Sequence, residues 1–204
     1  MMKSLILLII LLFLTSCQEN KSPTEEHKRN YKEILSLYPN SLVAHFPQDL
    51  DLPQGLHWGF SDLLFPRGRY LSYIHLAIVC DDQLYVDSLE KRLSIDSKEI
   101  LNFKDTCLFI PYDYRTFEII KEDSVKNRRL NGKYPVPNFR RWHYQFVPEF
   151  YEGTIYLLDA RKGYFLPDSC LSRYGVGLSK DWNHGYTRGV TIMKKGIVYW
   201  LEVW

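Results

Sequence analysis

Within nine residues, Asp181-Trp182-Asn183-His184-Gly185-Tyr186-Thr187-Arg188-Gly189 gathers a carboxylate, an indole, an imidazole and a guanidinium. A histidine oriented by a carboxylate is the commonest acid-base unit at neutral pH. Asp181 could play the orienting part for His184. Arg188 follows His184 by four residues, one turn away in a helix and on the same face in a strand, which also permits an anion site. Trp182, His184 and Arg188 are therefore candidate binding residues. Asp181 and His184 are the pair on which a small hydrolase of cell-wall or polysaccharide substrates would depend. The plainer reading is that Gly185 and Gly189 shape a loop whose polar groups brace the segment that follows. No nucleophile can be assigned, and a catalytic site needs convergent groups in a pocket, so bracing is preferred.

A second constellation runs from Lys121 to Arg141, where seven basic residues face two acidic ones. Arg128, Arg129, Arg140 and Arg141 are interleaved with Tyr134, Phe139, Trp142, His143 and Tyr144. Such a surface can stack sugars and meet phosphates or carboxylates. The alternative is a hydrated loop around Asn131-Gly132 and Pro135-Val136-Pro137, since charge runs usually face solvent. The whole chain carries a formal charge of only +2, which argues against a nucleic-acid partner. Of the four cysteines, Cys80, Cys107 and Cys170 lack Cys-x-x-Cys or paired-histidine spacing. They read as buried thiols with at most one disulfide among them, and no metal or cofactor is expected. Gly175-Val176-Gly177 lacks the rest of a dinucleotide fingerprint, and no nucleophile elbow, zinc-protease pair or internal repeat is present.

The elements that must position these residues follow from periodicity and punctuation. Ser22-Pro23-Thr24-Glu25 reads as a helix start with Ser22 as cap and Glu25 closing a capping box; Tyr31, Ile34, Leu35 and Tyr38 supply its apolar stripe. Residues 41–69, studded with Pro and Gly, read as loop. Tyr70 to Cys80 is apolar on both faces and predicts an interior strand, with His75 as a satisfied core residue. Asp81-Asp82 caps a helix through Arg92, and Asp96-Ser97-Lys98-Glu99 predicts a second helical turn. Strands are expected over Thr106 to Tyr112, Thr116 to Ile120, Tyr144 to Val147 and Gly153 to Ala160, and a loop over Leu166 to Gly177. Alternation through Val190 to Met193 and Ile197 to Trp204 predicts a hairpin turning at Lys194 to Gly196. It ends on aromatics that make the terminus part of the core.

The N-terminus gives the chain an address. Lys3, the apolar run from Leu5 to Leu14 and the small residues Thr15 and Ser16 have the layout of a secretory signal. That run is about half the length of a bilayer-spanning helix. Leu14-Thr15-Ser16-Cys17 resembles the lipobox of bacterial lipoproteins. The resemblance implies cleavage before Cys17, acylation of its thiol and durable anchoring through several acyl chains. Gln18, where a retention signal would have aspartate, points to the outer membrane, with periplasmic or surface display left open. The Trp, His-Gly-Tyr and Arg-Gly pattern of 182–189, with the closing Tyr199-Trp200-Leu201-Glu202-Val203-Trp204, resembles the end of small lipoproteins of Bacteroidota, and no activity comes with that resemblance.

The expectation is a signal peptide over residues 1–16, a lipidated Cys17 with a tether over 17–24, and one α+β domain over 25–204. That domain would hold a mainly antiparallel sheet, two or three short helices and long irregular loops. Its expected role is a non-catalytic envelope module bound to the bilayer through Cys17 and partnered by an envelope protein or a glycan. The hydrolase and a protective immunity lipoprotein are the alternatives.

Overall fold

A computed structural model describes residues 22–64, 70–102, 108–121, 134–142, 153–194 and 196–204. The N-terminal address, Arg128, Arg129, Cys107 and the strand expected over Tyr144 to Val147 lie outside the described residues.

The helix α1 (Glu25–Leu37) begins two residues later than a cap at Ser22 would imply. Thr24, not Ser22, is the cap: its Oγ1 accepts from the His27 amide at 3.2 Å, and the His27 ring returns an acceptor to the Thr24 amide at 3.3 Å. A hydroxyl-imidazole box thus replaces the Ser-Glu one. Tyr31 on this helix is buried and donates to the Pro47 carbonyl at 2.8 Å, pinning α1 to the chain that follows. That chain is not all loop. It contains the short helix α2 (Asn40–Val43) and the nine-residue strand β1 (Leu56–Leu64). A register shift between Trp58 and Phe60 breaks the period-2 alternation by which β1 would be recognised.

Strand β2 (Ser72–Cys80) falls where its apolar run predicts, and Asp82 caps helix α3 (Gln83–Asp96) by accepting from the Tyr85 amide at 3.1 Å. The Asp96–Glu99 turn is not helical. Ser97 ends α3 in extended conformation and the chain enters strand β3 (Glu99–Asn102). The strand expected over 106–112 is split into β4 (Leu108–Phe109) and β5 (Tyr112–Asp113), whereas β6 (Glu118–Ile119) lies within its expected bounds. The hydrated-loop reading of Pro135–Pro137 also yields. Pro135–Val136 is β7, pairs in parallel with β4, and buries Val136 completely.

The last three strands, β8 (Gly153–Lys162), β9 (Gly185–Met193) and β10 (Gly196–Val203), complete a six-stranded sheet in the order β1-β2-β10-β9-β8-β3, antiparallel throughout. Among the described residues, three α-helices and a mainly antiparallel sheet make this a single α+β domain. Both faces of the sheet are covered. One packs under the helices through Ile74, Leu76, Ile78, Val190, Tyr199 and Leu201. The other packs under the short strands and the 139–142 turn through Tyr73, Leu157, Val198, Trp200 and Trp204. Burial of both faces explains why β10, at the centre, is buried at every residue.

Candidate functional site

The candidate residues from Asp181 to Arg188 do not form one loop. Lys180–Trp182 is a single 3-10 turn, and β9 begins at Gly185. Pairing reaches the very end of the chain, with Gly185 and Trp204 exchanging backbone hydrogen bonds at 3.0 and 3.1 Å. Trp182 is a core residue, and its carbonyl accepts from the buried Trp204 indole at 2.9 Å. Gly189 stands opposite Trp200 in the ladder. A Cβ there would fall on the Tyr156 carbonyl oxygen and 2.5 Å from the indole, so only glycine lets the ring lie flat across β9. The Trp, Gly and closing aromatic residues are thus a packing device within the β9–β10 ladder, where the bracing reading expects a shaped loop with polar groups.

Asp181 and His184 are not brought together. The Asp181 carboxylate is mostly exposed and lies 3.7 Å from Lys162 Nζ, while the His184 ring packs on Tyr164 with centroids 4.5 Å apart. No ion pair or hydrogen bond joins the two among the described residues, so the acid-base unit lacks its orienting contact. The same contacts do assemble a surface. Gly163 donates to the His184 carbonyl at 3.0 Å, which holds the end of β8 against the start of β9. Lys162 Nζ sits 5.4 Å from the centre of the Trp182 ring. Nearby, Gly175 runs against the Asn183 backbone in a left-handed turn with φ of 67°, closed by Ser172 Oγ donating to the Gly175 carbonyl at 2.9 Å. That turn projects Tyr174 and Arg173 outward. Tyr164 and Tyr174, 67% and 73% exposed, are the most exposed aromatic rings among the described residues. Three short segments therefore converge at one end of the sheet and present rings alternating with cations.

Of the basic stretch, Arg141 is partly exposed and reaches Asp113 at 3.5 Å, so it is anchored rather than free. Arg140 lies in the 139–141 turn, and its side chain is outside the described set. Trp142 is buried, stacked on His75 at 3.9 Å.

Two polar clusters are not announced by any motif. In the face opposite the helices, Glu202 is fully buried. Its Oε1 accepts from Tyr114 at 2.5 Å and lies 3.0 Å from His75 Nε2, while its Oε2 has no partner. Burial raises the Glu202 carboxyl to about 8, against which the Tyr114 hydrogen bond pulls down. Burial likewise pushes His75 well below the ordinary histidine value. The trio is accordingly neutral over a wide range of pH. Its one sequence signal is a lone carboxylate inside an apolar strand; in the ladder Glu202 stands opposite Tyr73, two residues along the strand from His75. On the helical face, Asp159 is buried at the β8 bulge and engaged by Lys98, by Tyr186, and by Arg161 at 3.1 Å. Burial alone would raise its carboxyl, but Lys98 and Tyr186 bring it below the usual carboxylate range. No group of three or more potential metal ligands is present among the described residues.

Compared with known protein families, curated proteins and solved structures, the chain matches none.

Proposed function

We propose that this protein is a lipid-anchored envelope protein, tethered to the outer membrane through Cys17, whose folded domain is a binding module for an anionic envelope glycan. The observation that carries the binding role is the pairing of the exposed Tyr164 ring with the half-buried His184 ring, beside Lys162. Flat rings stack on the apolar faces of sugars, and neighbouring ammonium and guanidinium groups meet carboxylate or phosphate substituents. Rigid strands hold both sides of this surface, which limits the ordering that ligand binding must impose.

The test is retention of the full-length protein on immobilised anionic envelope polysaccharide. Each stacking ring contributes on the order of 1 kcal/mol, so Tyr164→Ala and His184→Ala should each weaken binding about fivefold. Lys162→Ala, which removes the cation at that surface, should weaken it further, with a reduced salt dependence. Undiminished retention in the Tyr164 and His184 variants would remove this surface from the account. Retention by an envelope protein in place of the glycan would favour the partner-protein reading.

A further inference from the structure

The point at which the tether enters the domain is fixed, and it lies beside a groove. Thr24 caps α1, and buried Tyr31 pins that helix to the Pro47 carbonyl. Ser22 and Pro23, at the end of the tether, line an open groove of about 330 Å³ with Lys28 of α1, Asp51, Leu52 and, from β1, Trp58. Its lining is of two kinds. Leu52 and Trp58 are half-buried and pack on the margin of the helical core, and the exposed His27 lays its ring on Trp58 with centroids 4.6 Å apart. Lys28 Nζ, in contrast, is held 2.6 Å from Asp51 and 2.9 Å from Glu25, so its charge is answered twice. An indole at the margin of a charge-balanced surface suits a membrane-water interface, where amphipathic rings settle at headgroup level. The basic surplus that draws a protein to anionic lipid is not what this lining offers.

Chain length brings the groove to the bilayer. Five peptide units separate Cys17 from Ser22. An extended chain spans at most about 3.6 Å per residue, so Ser22 stands within about 18 Å of an acylated Cys17 however the domain is turned. A domain of this size is roughly 40 Å across, more than twice that reach. The opposite end of the sheet is correspondingly distant. Trp58 is in register with Ile78 of β2 and, beyond it, Ile197 of β10, whereas Tyr186 at the start of β9 pairs with Val203. Those two levels are six residues apart along β10, about 20 Å at the rise of a strand.

We infer that this groove is the side of the domain that lies on the bilayer, with Trp58 and Leu52 seated among zwitterionic phospholipid headgroups and the Tyr164–His184 surface held outward. The inference rests on the Cys17 anchor and adds an orientation to it. The paired Lys28 and Asp51 match a headgroup that itself carries a phosphate and an ammonium.

Photo-crosslinking of the acylated full-length protein, reconstituted in vesicles of phosphatidylcholine and phosphatidylethanolamine, tests this. The photoreactive residue is placed in the groove by Leu52→p-benzoylphenylalanine, beside it by Pro53→p-benzoylphenylalanine, and at the opposite end by Tyr164→p-benzoylphenylalanine. Pro53 is exposed, which keeps the test available if the Leu52 variant does not fold. Illumination should join phospholipid to positions 52 and 53 and leave position 164 at the level of an unilluminated sample. Adding phosphatidylglycerol should not raise the yield. Flotation with the vesicles is read in the same samples. A chain that does not float lacks the anchor, and the inference falls with it. A floating chain that forms no lipid adduct at 52 or 53, or forms more at 164, overturns the orientation and leaves the anchor standing. Adducts that require phosphatidylglycerol would overturn the zwitterionic assignment.

Discussion

Glu202 is the residue on which the interior depends most asymmetrically. It has no exposure, it is bound by Tyr114 and lies against His75, and it sits at the centre of the sheet in β10. In the unfolded chain this carboxyl loses its proton near 4.5, whereas burial in the fold retains it up to about 8. The folded state therefore binds the extra proton between those values. The contribution is fully present below the unfolded value and lost as pH rises towards 8. His75 acts in the opposite sense, since its folded value is depressed and its contribution is lost as pH falls below the ordinary histidine range. Stability should peak at mildly acidic pH and decline towards alkali. Replacing Glu202 by Gln keeps the shape and an acceptor for Tyr114, so urea midpoints of Glu202→Gln measured at about pH 6 and about pH 8 should differ much less than those of the wild type. An equal decline in both proteins would show that another group sets the alkaline limb.

At the scale of elements, the closing hairpin is the organising unit, and its glycine and tryptophan positions are coupled. Gly189→Ala should cost at least about 2 kcal/mol, because the added methyl meets both the Tyr156 carbonyl and the Trp200 ring. Deleting Trp204, which is fully buried and hydrogen-bonded to the Trp182 carbonyl, should cost about 3–5 kcal/mol. Chemical denaturation checks both, and a change below about 1 kcal/mol in either would contradict the packing account. The hairpin, β2, β8 and α3 are legible in the sequence, because each is an apolar or periodic run bounded by a recognisable cap or turn, and the bulge in β8 leaves its apolar run Ile155 to Leu158 unbroken. Strand β1 is not, since its bulge and Gly59 break the alternation and its flanking prolines imitate a loop. Strand β3 is hidden for a different reason: Asp96-Ser97-Lys98-Glu99 has the residues of a helix cap, and only pairing with β8 draws it into the sheet. The candidate site was partly legible. His184 and Arg188 stand out by type, but where each is placed depends on the strand starting at Gly185, which separates the histidine on the sheet's end from the arginine on its helical face. Tyr164, Tyr174 and Glu202 carry no motif, and their roles come from contacts distant in sequence.

At the scale of the whole molecule, the sheet is sealed on both faces, so what the domain offers to a partner is concentrated at its ends and beside its helices. One end carries Tyr164, His184 and Tyr174 among cations; the helical side carries a cleft between α3 and the 44–47 turn. Under the proposed Cys17 tether, the module would work at the high local concentration that a membrane anchor confers, so that modest affinity for an envelope ligand would suffice. The account consequently rests on the tether. The most direct measurement is intact-mass and N-terminal peptide analysis of the protein isolated from membranes of its producing cell. The predicted result is a chain beginning at Cys17 with its thiol diacylglycerol-modified, and a Cys17→Ala variant that loses both the modification and incorporation of labelled fatty acid. A chain that begins elsewhere, or that carries an unmodified Cys17, would contradict it.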